Sequence, residues 1–527
     1  MGCTGGDLVV RCLLAQGVRT VFGIPGALNL HLYHALREHR DRLQHILVRH
    51  ELGGAWMADG YARAGGDVGV VCTVPGPGAS HAVSAIAGAY TDCSRVLLLA
   101  AQSERRWRGQ LRRDLFHGLD QARLFAPITK FSVSVHAPGE IPAAMAEAFY
   151  RLRHGRPGPV LVEIPADVLG ELAPDEVPPY QSPPRAAPPP EAIDRAVAIL
   201  SAAQRPLILA GDGVLHSDAT AALGDVASAL RAPVITTGLG KGALPEDHPW
   251  SLGDMNSPAG SQAYPQADAI LAVGCRFVQT DTRWPWFTPP PNLIHVDADP
   301  REIGRVFPPA VGMVADPRAA LEALVAALAE RPPRARDGWE AIFPALKRQS
   351  DARAEADPLV AALRRALPRD TLVSWDVCYP GYRSRTDWIA YHPRSYYYPG
   401  VYVGMGFGLP VGIGARLARP EAPVCVVAGD GGFQMTMPEL ATVVQHRLPL
   451  VIVLVNDAGL TLIRTAYDRA GKGKRFAVDL VNPDFVALAR AYGIAAERVH
   501  DADGVERAVA AAIGRESVTL VELVVPA

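Results

Sequence analysis

The sequence predicts an α/β protein built from three doubly wound domains, each with a parallel sheet. Short β-branched runs alternate with helix-length amphipathic segments, the pattern of parallel strands joined by crossover helices. The 527 residues suffice for about three to four domains of roughly 150 residues each. Two proline-rich stretches, residues 174–190 and 331–337, divide the chain and place the domains at 1–173, 190–330 and 340–527.

The composition fits a globular protein without affinity for nucleic acid or membranes. Apolar residues make up 49% and charged residues 20% of the chain. The 52 Lys+Arg against 54 Asp+Glu, with no basic run, argue against nucleic-acid or membrane-surface binding. Apolar runs such as Leu450–Val455 are far shorter than the ~20 residues of a membrane helix, and the N-terminus lacks a secretion signal. Because the seven cysteines form no CxxC pair, we expect free thiols and a cytoplasmic location.

Strand candidates occur in all three blocks. In chain order they are Thr20–Phe22, Gly69–Thr73, Arg95–Ala100, Pro206–Leu209, Pro233–Thr236, Ala269–Val273, Leu293–Val296, Thr371–Ser374, Val424–Val427 and Leu450–Val455. A helix is predicted at Pro438–His446, after a glycine turn at Gly429–Gly432. Ligands are expected at the carboxyl ends of the strands, where open α/β sheets bind them.

Two acidic turns in the third block carry the strongest functional signal. The strand at 424–427 runs into GDGG at 429–432, and the next strand runs into NDAG at 456–459. Since both turns follow parallel strands, we expect Asp430 and Asp457 at one sheet edge. Glycines let backbone N–H groups approach a phosphate, and Mg²⁺ commonly takes one or two carboxylates together with phosphate and water. The alternative is a pair of ordinary Asp/Gly turns.

This pair of turns resembles the cofactor motif of thiamine-diphosphate-dependent enzymes, in particular the acetolactate synthase-like group. The resemblance implies that Asp430, Asp457 and the carbonyl of Gly459 bind Mg²⁺. It also implies that the remaining glycines of the first turn contact the diphosphate, namely Gly429, Gly431 and Gly432. The Asn-Asp pair at 456–457 resembles the flavin-independent, catabolic acetolactate synthases.

A second segment resembles the glutamate-bearing helix of the same family's pyrimidine domain. Residues 49–63 read RHELGGAWMADGYAR, and small residues around Glu51 permit close packing on a ring. The resemblance implies that the Glu51 carboxylate bonds a ring nitrogen of the aminopyrimidine and promotes the tautomer that activates the cofactor. A carboxyl in an apolar cleft suits such proton chemistry. A surface glutamate beside a histidine is the alternative for a lone Glu.

The resemblance extends over essentially the whole chain. VFGIPGA at 21–27 and TVPGPGAS at 73–80 are similar to family loops, and VGMGFGLP at 403–410 is similar to the segment that grips the aminopyrimidine. There Met405 would lie beneath the bent cofactor. The other cofactor-binding positions implied are Pro25, Gly26, Ala27, Val403, Asp376, Cys378 and Tyr379.

Three positions depart from the family pattern. His117 stands where the family usually has Gln, and an imidazole that titrates near neutrality could relay a proton; a structural histidine is the alternative. Ala466 stands where anabolic synthases have a large aromatic residue, so we expect it to line a widened substrate pocket together with Ile463. GDMN at 253–256 replaces the GMHG-like segment of flavin-dependent relatives, which argues against FAD.

The resemblance therefore implies a thiamine diphosphate- and Mg²⁺-dependent enzyme. It would decarboxylate a pyruvate-like 2-oxo acid and transfer the acyl-anion equivalent to a second carbonyl compound. Alternatives are a simple 2-oxo-acid decarboxylase that releases an aldehyde and a non-catalytic paralogue, the latter disfavoured by the retained Glu51, Asp430 and Asp457. A nicotinamide dehydrogenase is disfavoured because no strand runs into GxGxxG. Since family sites form between subunits, a homodimer or homotetramer is expected.

Overall fold

The structure is a computed structural model that describes residues 3–107, 115–173, 176–177, 184–283, 287–332, 338–471 and 474–525. It contains three six-stranded sheets, and the strand pairs are parallel, which confirms the predicted α/β class. Two compact units are distinguished: residues 1–182, 402–499 and 512–527 form one, and residues 183–401 and 500–511 form the other. The predicted domain boundaries remain predictions.

The first sheet has the strand order β2-β1-β3-β4-β6-β5. Its strands are β1 Thr20–Gly23, β2 Gln44–Leu47, β3 Gly69–Thr73, β4 Val96–Gln102, β5 Phe131–Ser134 and β6 Val160–Pro165. The helices of this region are α1 Gly5–Ala15, α2 Leu30–Glu38, α3 Glu51–Tyr61, α4 Pro77–His81, α5 Val83–Thr91, α6 Gln121–Phe125, α7 Ile141–Arg153 and α8 Ala166–Gly170.

The central sheet has the order β12-β11-β10-β7-β8-β9. Its strands are β7 Pro206–Ala210, β8 Val234–Thr236, β9 Ser251–Asp254, β10 Ala269–Val273, β11 Asn292–Asp297 and β12 Val311–Val314. Its helices are α9 Pro190–Ala202, α10 Asp212–His216, α11 Thr220–Leu230, α12 Pro258–Ala263, α13 Gln279–Thr282 and α14 Pro317–Glu330.

The third sheet has the order β14-β13-β15-β16-β18-β17. Its strands are β13 Leu372–Trp375, β14 Tyr396–Tyr397, β15 Val424–Gly429, β16 Val451–Asn456, β17 Ala495–Val499 and β18 Thr519–Val524. The remaining helices are α15 Phe343–Ala352, α16 Pro358–Ala366, α17 Tyr379–Asp387, α18 Gly408–Ala418, α19 Asp430–Thr436, α20 Leu440–Gln445, α21 Thr461–Arg469, α22 Phe485–Ala491 and α23 Ala502–Ala512.

The predicted strands agree with observed strands to within two residues at each end, but the helix predicted at Pro438–His446 is wrong in its start. Residues 437–439 form a 3-10 turn, and the helix itself is α20. The glycine turn predicted at 429–432 is also wrong in extent, because α19 begins at Asp430 directly after the extended Gly429. An acidic residue in the first turn favours a helix, and Pro438, which lacks an N–H, prevents α19 from continuing unbroken.

Helices α3 and α18 pack against each other through glycines. A Cβ placed on Gly60 would lie 2.3 Å from the carbonyl oxygen of Val411, and one on Gly414 would lie 2.0 Å from that of Met57. The rings of Trp56 and Phe407 meet edge to face beside this crossing, 5.1 Å between centroids. The first and last parts of the chain are thereby joined in one unit.

Two expectations from the composition can be compared with the structure. Within the described ranges, no helix has the length and apolar character that crossing a bilayer requires. The cysteines are free thiols, six of them buried, as the sequence predicted.

Candidate active site

The two acidic turns lie side by side. Strands β15 and β16 are neighbours in register, with Gly429 opposite Val455. Asp430 therefore begins α19 at the same sheet edge at which Asp457 follows β16. The proximity that the sequence predicted for these carboxylates follows directly from the parallel pairing.

Asp430 is buried and held by several donors. Its carboxylate accepts hydrogen bonds from the Gly431 N–H at 2.8 Å and from the Asn482 amide at 2.6 Å. Burial raises the pKa of Asp430, the Asn482 hydrogen bond opposes this, and the nearby Asp457 carboxylate raises the pKa further. Two acidic groups that disfavour each other's charge form a site that a cation would stabilise.

The Asp457 carboxylate supplies the test of whether a metal fits. Its Oδ1 is buried and makes no hydrogen bond to any residue that the structure describes. Buried carboxylate oxygens are normally satisfied by a donor or an ion. An unsatisfied oxygen beside a second carboxylate, on glycine-rich turns, is a donor set that suits Mg²⁺ and a phosphate. The residues present therefore fit the metal and diphosphate that the sequence predicted.

Two further residues brace this edge, and sequence reasoning missed both. The Asn482 amide donates to Asp430 and, at 2.8 Å, to the Asn456 side chain, so it links the two turns. The Arg464 guanidinium donates to the carbonyls of Asp457 and Ala458 at 3.0 and 2.7 Å. Asn482 lies 52 and 26 residues from its partners, so no local pattern marks it. Arg464 is near its partners in sequence, but a lone arginine in a helix carries no signal of such a contact.

Gly459 is required by this arrangement. A Cβ at this position would lie 2.2 Å from the Arg464 guanidinium carbon. The turn is also paired with the following segment, since Leu460 N–H donates to the Val478 carbonyl and Leu480 N–H to that of Ala458. The backbone of the second acidic turn is thus fixed on two sides.

Glu51 begins α3 and is nearly buried. One carboxylate oxygen, Oε2, lies 3.0 Å from Nδ1 of His81 at the end of α4. The other, Oε1, faces Gly78, where a Cβ would lie only 3.1 Å away. The glycine-rich loop at 73–80 therefore leaves room for this carboxylate.

Glu439 ties the start of α3 to the segment that follows α19. Its carboxylate accepts hydrogen bonds from the backbone N–H groups of Arg49 and His50 at 3.0–3.2 Å and from the Thr442 hydroxyl at 2.6 Å. Burial raises its pKa, which these hydrogen bonds oppose. A Cβ on Gly53 would lie 2.3 Å from Glu439 Oε1, so this glycine is needed for the close approach. The glutamate helix and the GDGG segment are joined by this contact.

The other predicted cofactor residues of this unit lie in two loops. Gly26 packs on Val74, and its N–H donates to the Asn29 side chain at 2.8 Å; Pro25 and Ala27 flank it. The remaining two, Val403 and Met405, precede α18, and Cε of Met405 would lie 3.2 Å from a Cβ on Gly431. Met405 is thus adjacent to the GDGG turn, as its predicted place beneath a cofactor requires.

His117 has a left-handed backbone, with φ +56°, beside the glycine loop. Its carbonyl oxygen would lie 2.9 Å from a Cβ on Gly76, and its ring stacks on Phe116 with 4.0 Å between centroids. Its Nδ1 is buried and finds no hydrogen-bond partner in the part of the chain that the structure describes. This nitrogen is available to a ligand.

Five further positions were predicted to bind the cofactor or to line the pocket, and these roles stay predictions. Asp376, Cys378 and Tyr379 lie in the second unit, where Cys378 is the N-cap of α17. Ile463 is 49% exposed, and Ala466 is exposed on the same helix, α21. The pocket role of these two positions stays a prediction.

Comparisons with known proteins identify the family of this chain. The thiamine pyrophosphate enzyme N-terminal TPP-binding domain matches residues 3–124, the central domain residues 193–324 and the C-terminal TPP-binding domain residues 378–523. The chain is 35% identical to the probable acetolactate synthase large subunit of Methanocaldococcus jannaschii, over 99% of this chain and 92% of that protein. It is 38% identical to the probable 2-ketoarginine decarboxylase AruI of Pseudomonas aeruginosa, over 99% and 94%. It is 33% identical to the acetolactate synthase isozyme 3 large subunit of Escherichia coli K12, over 93% and 88%.

The fold and site thus define a thiamine pyrophosphate-dependent enzyme, and the chain belongs to that family. Within it, the chain is acetolactate synthase-like. This confirms the resemblance and the enzyme class that the sequence predicted.

Proposed function

We propose that the enzyme uses thiamine diphosphate and Mg²⁺ to decarboxylate a 2-oxo acid and to transfer the acyl-anion equivalent to a second carbonyl compound. The proposal is supported by the place of Glu51, Asp430 and Asp457, which all belong to one compact unit. It is also supported by the Asp457 carboxylate oxygen, which has no hydrogen-bond partner among the described residues. Thiamine diphosphate, when bound, supplies an electron sink for the charge left by decarboxylation.

The chain's own residues divide the work between two sets. Asp430, Asp457 and the Gly459 carbonyl would hold Mg²⁺, and the glycines of the first turn would admit the diphosphate. Glu51 Oε1, which faces Gly78, would exchange a proton with the aminopyrimidine. Met405, beside the GDGG turn, would support the cofactor from below.

His117 is proposed to act on the acceptor. Its Nδ1, which no residue in the described ranges hydrogen-bonds, could donate to a carbonyl oxygen and supply the proton that the resulting alkoxide needs. With Ala466 in place of a large aromatic residue, we expect the pocket to admit a bulkier carbonyl compound than pyruvate. His117→Ala should lower kcat more than cofactor affinity, and Ala466→Trp should narrow the acceptor range. An unaltered preference for pyruvate in Ala466→Trp would contradict the pocket role.

A simple decarboxylase is the second candidate. The chain is 38% identical to a relative named as a 2-ketoarginine decarboxylase, and 35% and 33% identical to the two acetolactate synthases named above. The higher identity to the decarboxylase favours this second candidate. The enzyme should be incubated with thiamine diphosphate, Mg²⁺ and single 2-oxo acids, including pyruvate, a branched acid, an aromatic acid and a guanidino acid. Mass spectrometry that finds 2-hydroxyketones or 2-hydroxy-2-methyl-3-oxo acids supports carboligation, whereas aldehydes alone would establish the decarboxylase.

We propose that the enzyme works without FAD and in the cytoplasm. The GDMN segment at 253–256 lacks the family's flavin-associated pattern, and Gly253 packs on the guanidinium of Arg353. Purified protein should be colourless and fully active without added flavin. Stoichiometric flavin absorbance would contradict this.

A homodimer or homotetramer is proposed as the working form. Large apolar side chains are exposed along the segments that flank the acidic turns, and a second copy would cover them: Tyr402, Met435, Ile463, Phe476 and Val481. Mixing the inactive variants Glu51→Gln and Asp430→Ala tests whether sites are shared between chains. If two subunits build each site, hybrids regain activity, because one of their sites is intact; if each chain builds its own, they stay inactive.

A further inference from the structure

The buried carboxylate of Glu51 has a histidine partner. His81 Nδ1 lies 3.0 Å from Glu51 Oε2, and the exposed fractions of the two side chains are 47% and 10%. An ionised carboxylate only accepts hydrogen bonds, so His81 must donate through Nδ1–H. The contact therefore fixes both the tautomer of the imidazole and the orientation of the carboxylate.

His50 holds the His81 ring in place. The two rings are stacked, with 4.4 Å between centroids and 29° between planes. The Leu52 N–H donates to His50 Nδ1 at 3.1 Å, so this nitrogen carries no proton. Burial lowers the pKa of His50, and His81 lowers it further. His50 is thus a neutral platform against which His81 is oriented.

The other ionisable groups around Glu51 are engaged elsewhere. Tyr33 bonds His45, and burial keeps its pKa well above the usual value. Glu439 is occupied by the backbone N–H groups at the start of α3, and the Arg49 guanidinium bonds Gln445. In the described ranges, His81 is the side chain that hydrogen-bonds the Glu51 carboxylate.

We propose that His81 is a positioning residue that orients the Glu51 carboxylate. With Oε2 bound to His81, Oε1 is left beside Gly78 for the aminopyrimidine. Without this contact the carboxylate could rotate, and Oε1 would no longer be held in one orientation toward the ring. This inference rests on the role proposed above for Glu51.

The first test reads the contact in cofactor-free protein. Nitrogen-15 NMR of the histidine rings, with the His81 signals assigned by their loss in His81→Asn, should show the Nδ1–H tautomer. In Glu51→Ala, the His81 ring should revert to the Nε2–H tautomer that free histidine prefers. His34→Ala, a matched change at an exposed histidine, should leave the His81 signals unaltered.

The second test measures hydrogen–deuterium exchange at C2 of bound thiamine diphosphate. His81→Ala should slow exchange at least about tenfold, the size expected for a lost hydrogen bond to a charged group. His81→Asn, whose amide restores a donor, should recover most of the rate, and His34→Ala should exchange like the wild type.

The outcomes separate this inference from the proposed function. The positioning role is wrong if C2 exchange is slow in Glu51→Gln but proceeds at the wild-type rate in His81→Ala. It is also wrong if the His81 tautomer is the same in Glu51→Ala as in the wild type. If Glu51→Gln itself exchanges at the wild-type rate, the proposed function of Glu51 fails. The tautomer measurement then still reports whether the two side chains are coupled.

Discussion

The first and third sheets have the same strand order, but the loops at corresponding positions carry different residues. Numbered within each sheet, both read 2-1-3-4-6-5, whereas the central sheet reads 6-5-4-1-2-3. The turn after the third strand is the glycine loop with Gly78 in one sheet and the acidic turn with Asp430 in the other. The segment after the second strand carries Glu51 in one and Met405 in the other. The proposed proton-exchanging group and the proposed metal ligands therefore lie on loops that do not correspond, the former after the second strand of its sheet and the latter after the third and fourth strands.

The helices that follow these equivalent second strands, α3 and α18, are the pair that pack through Gly60 and Gly414. Each sheet therefore contributes the same element to the contact. The comparison teaches that strand order decides where a loop lies, while the side chains on that loop decide what it does.

The largest expected effect is a separation of cofactor binding from cofactor activation. Asp430→Ala should weaken thiamine diphosphate and Mg²⁺ binding by more than about 100-fold, because even outer partners of metal ligands are worth about 10–100-fold. Glu51→Gln should bind normally but lower C2 exchange by about 10²–10⁴-fold, since the amide cannot take the proton. Calorimetry and exchange NMR measure the two quantities. Asp468→Ala, which removes an exposed ion pair, is the control and should match the wild type in both measurements. If Asp430→Ala and Glu51→Gln lose cofactor affinity equally, the two sheets do not divide binding and activation between them.

Asn482→Ala sharpens the description of the third sheet. Removing the amide that orients Asp430 should weaken Mg²⁺-dependent cofactor binding about 10–100-fold without unfolding the chain. Calorimetry against a Mg²⁺ series would show it. Asn292→Ala, an exposed asparagine bonded to the Asp268 carbonyl, should bind like the wild type. Unchanged affinity in Asn482→Ala would remove Asn482 from the site.

Gly60→Ala tests the helix pair that joins the two sheets. The added methyl group would lie 2.3 Å from the Val411 carbonyl oxygen, so the free energy of unfolding should fall by about 1–3 kcal/mol. Gly139→Ala is the matched control, because a Cβ there meets nothing within 4 Å. Denaturant titration compares them, and equal stability of the two variants would show that the crossing tolerates a side chain.

The last expected effect concerns the central sheet and depends on pH. Burial raises the pKa of Asp297, at the end of β11, to about 7. Between about pH 4 and 7 the folded state then holds a proton that the unfolded state has lost, so stability falls as pH rises and levels off above 7. Asp297→Asn should remove this slope, an effect on the order of 1–3 kcal/mol at pH 8.

Unfolding curves at several pH values measure that slope. Asp225→Asn, at an exposed aspartate, should keep it. A slope that persists in Asp297→Asn would assign the pH dependence to other groups.

Ten of the interior strands could be predicted from the sequence, whereas the interior strands β6 and β18 and the edge strands could not. Every strand foreseen, from β1 to β16, lies inside a sheet, where burial on both faces gives unbroken apolar runs. The edge strands β2, β5, β9, β12, β14 and β17 were missed. Strand β17, for example, is largely exposed and reads AAERV, which carries no such run.

The site followed the same rule. Asp430 and Asp457 could be placed together because parallel neighbours end at one edge. His81, Glu439, Arg464 and Asn482 could not, because their contacts depend on side chains brought together by packing. A residue that acts through another leaves no pattern in its own neighbourhood.

The glycine contact between α3 and α18 also limits how such enzymes can be recombined. A chimaera that takes residues 49–61 from one relative and 404–418 from another would pack together two helix surfaces that are shaped for different partners. The two backbones approach so closely here that an added methyl group would clash with the facing helix. A crossover point placed before residue 49 or after residue 418 would keep the two helices together as a matched pair from one parent. Substitutions on α21, where Ile463 is exposed, would leave that fit intact.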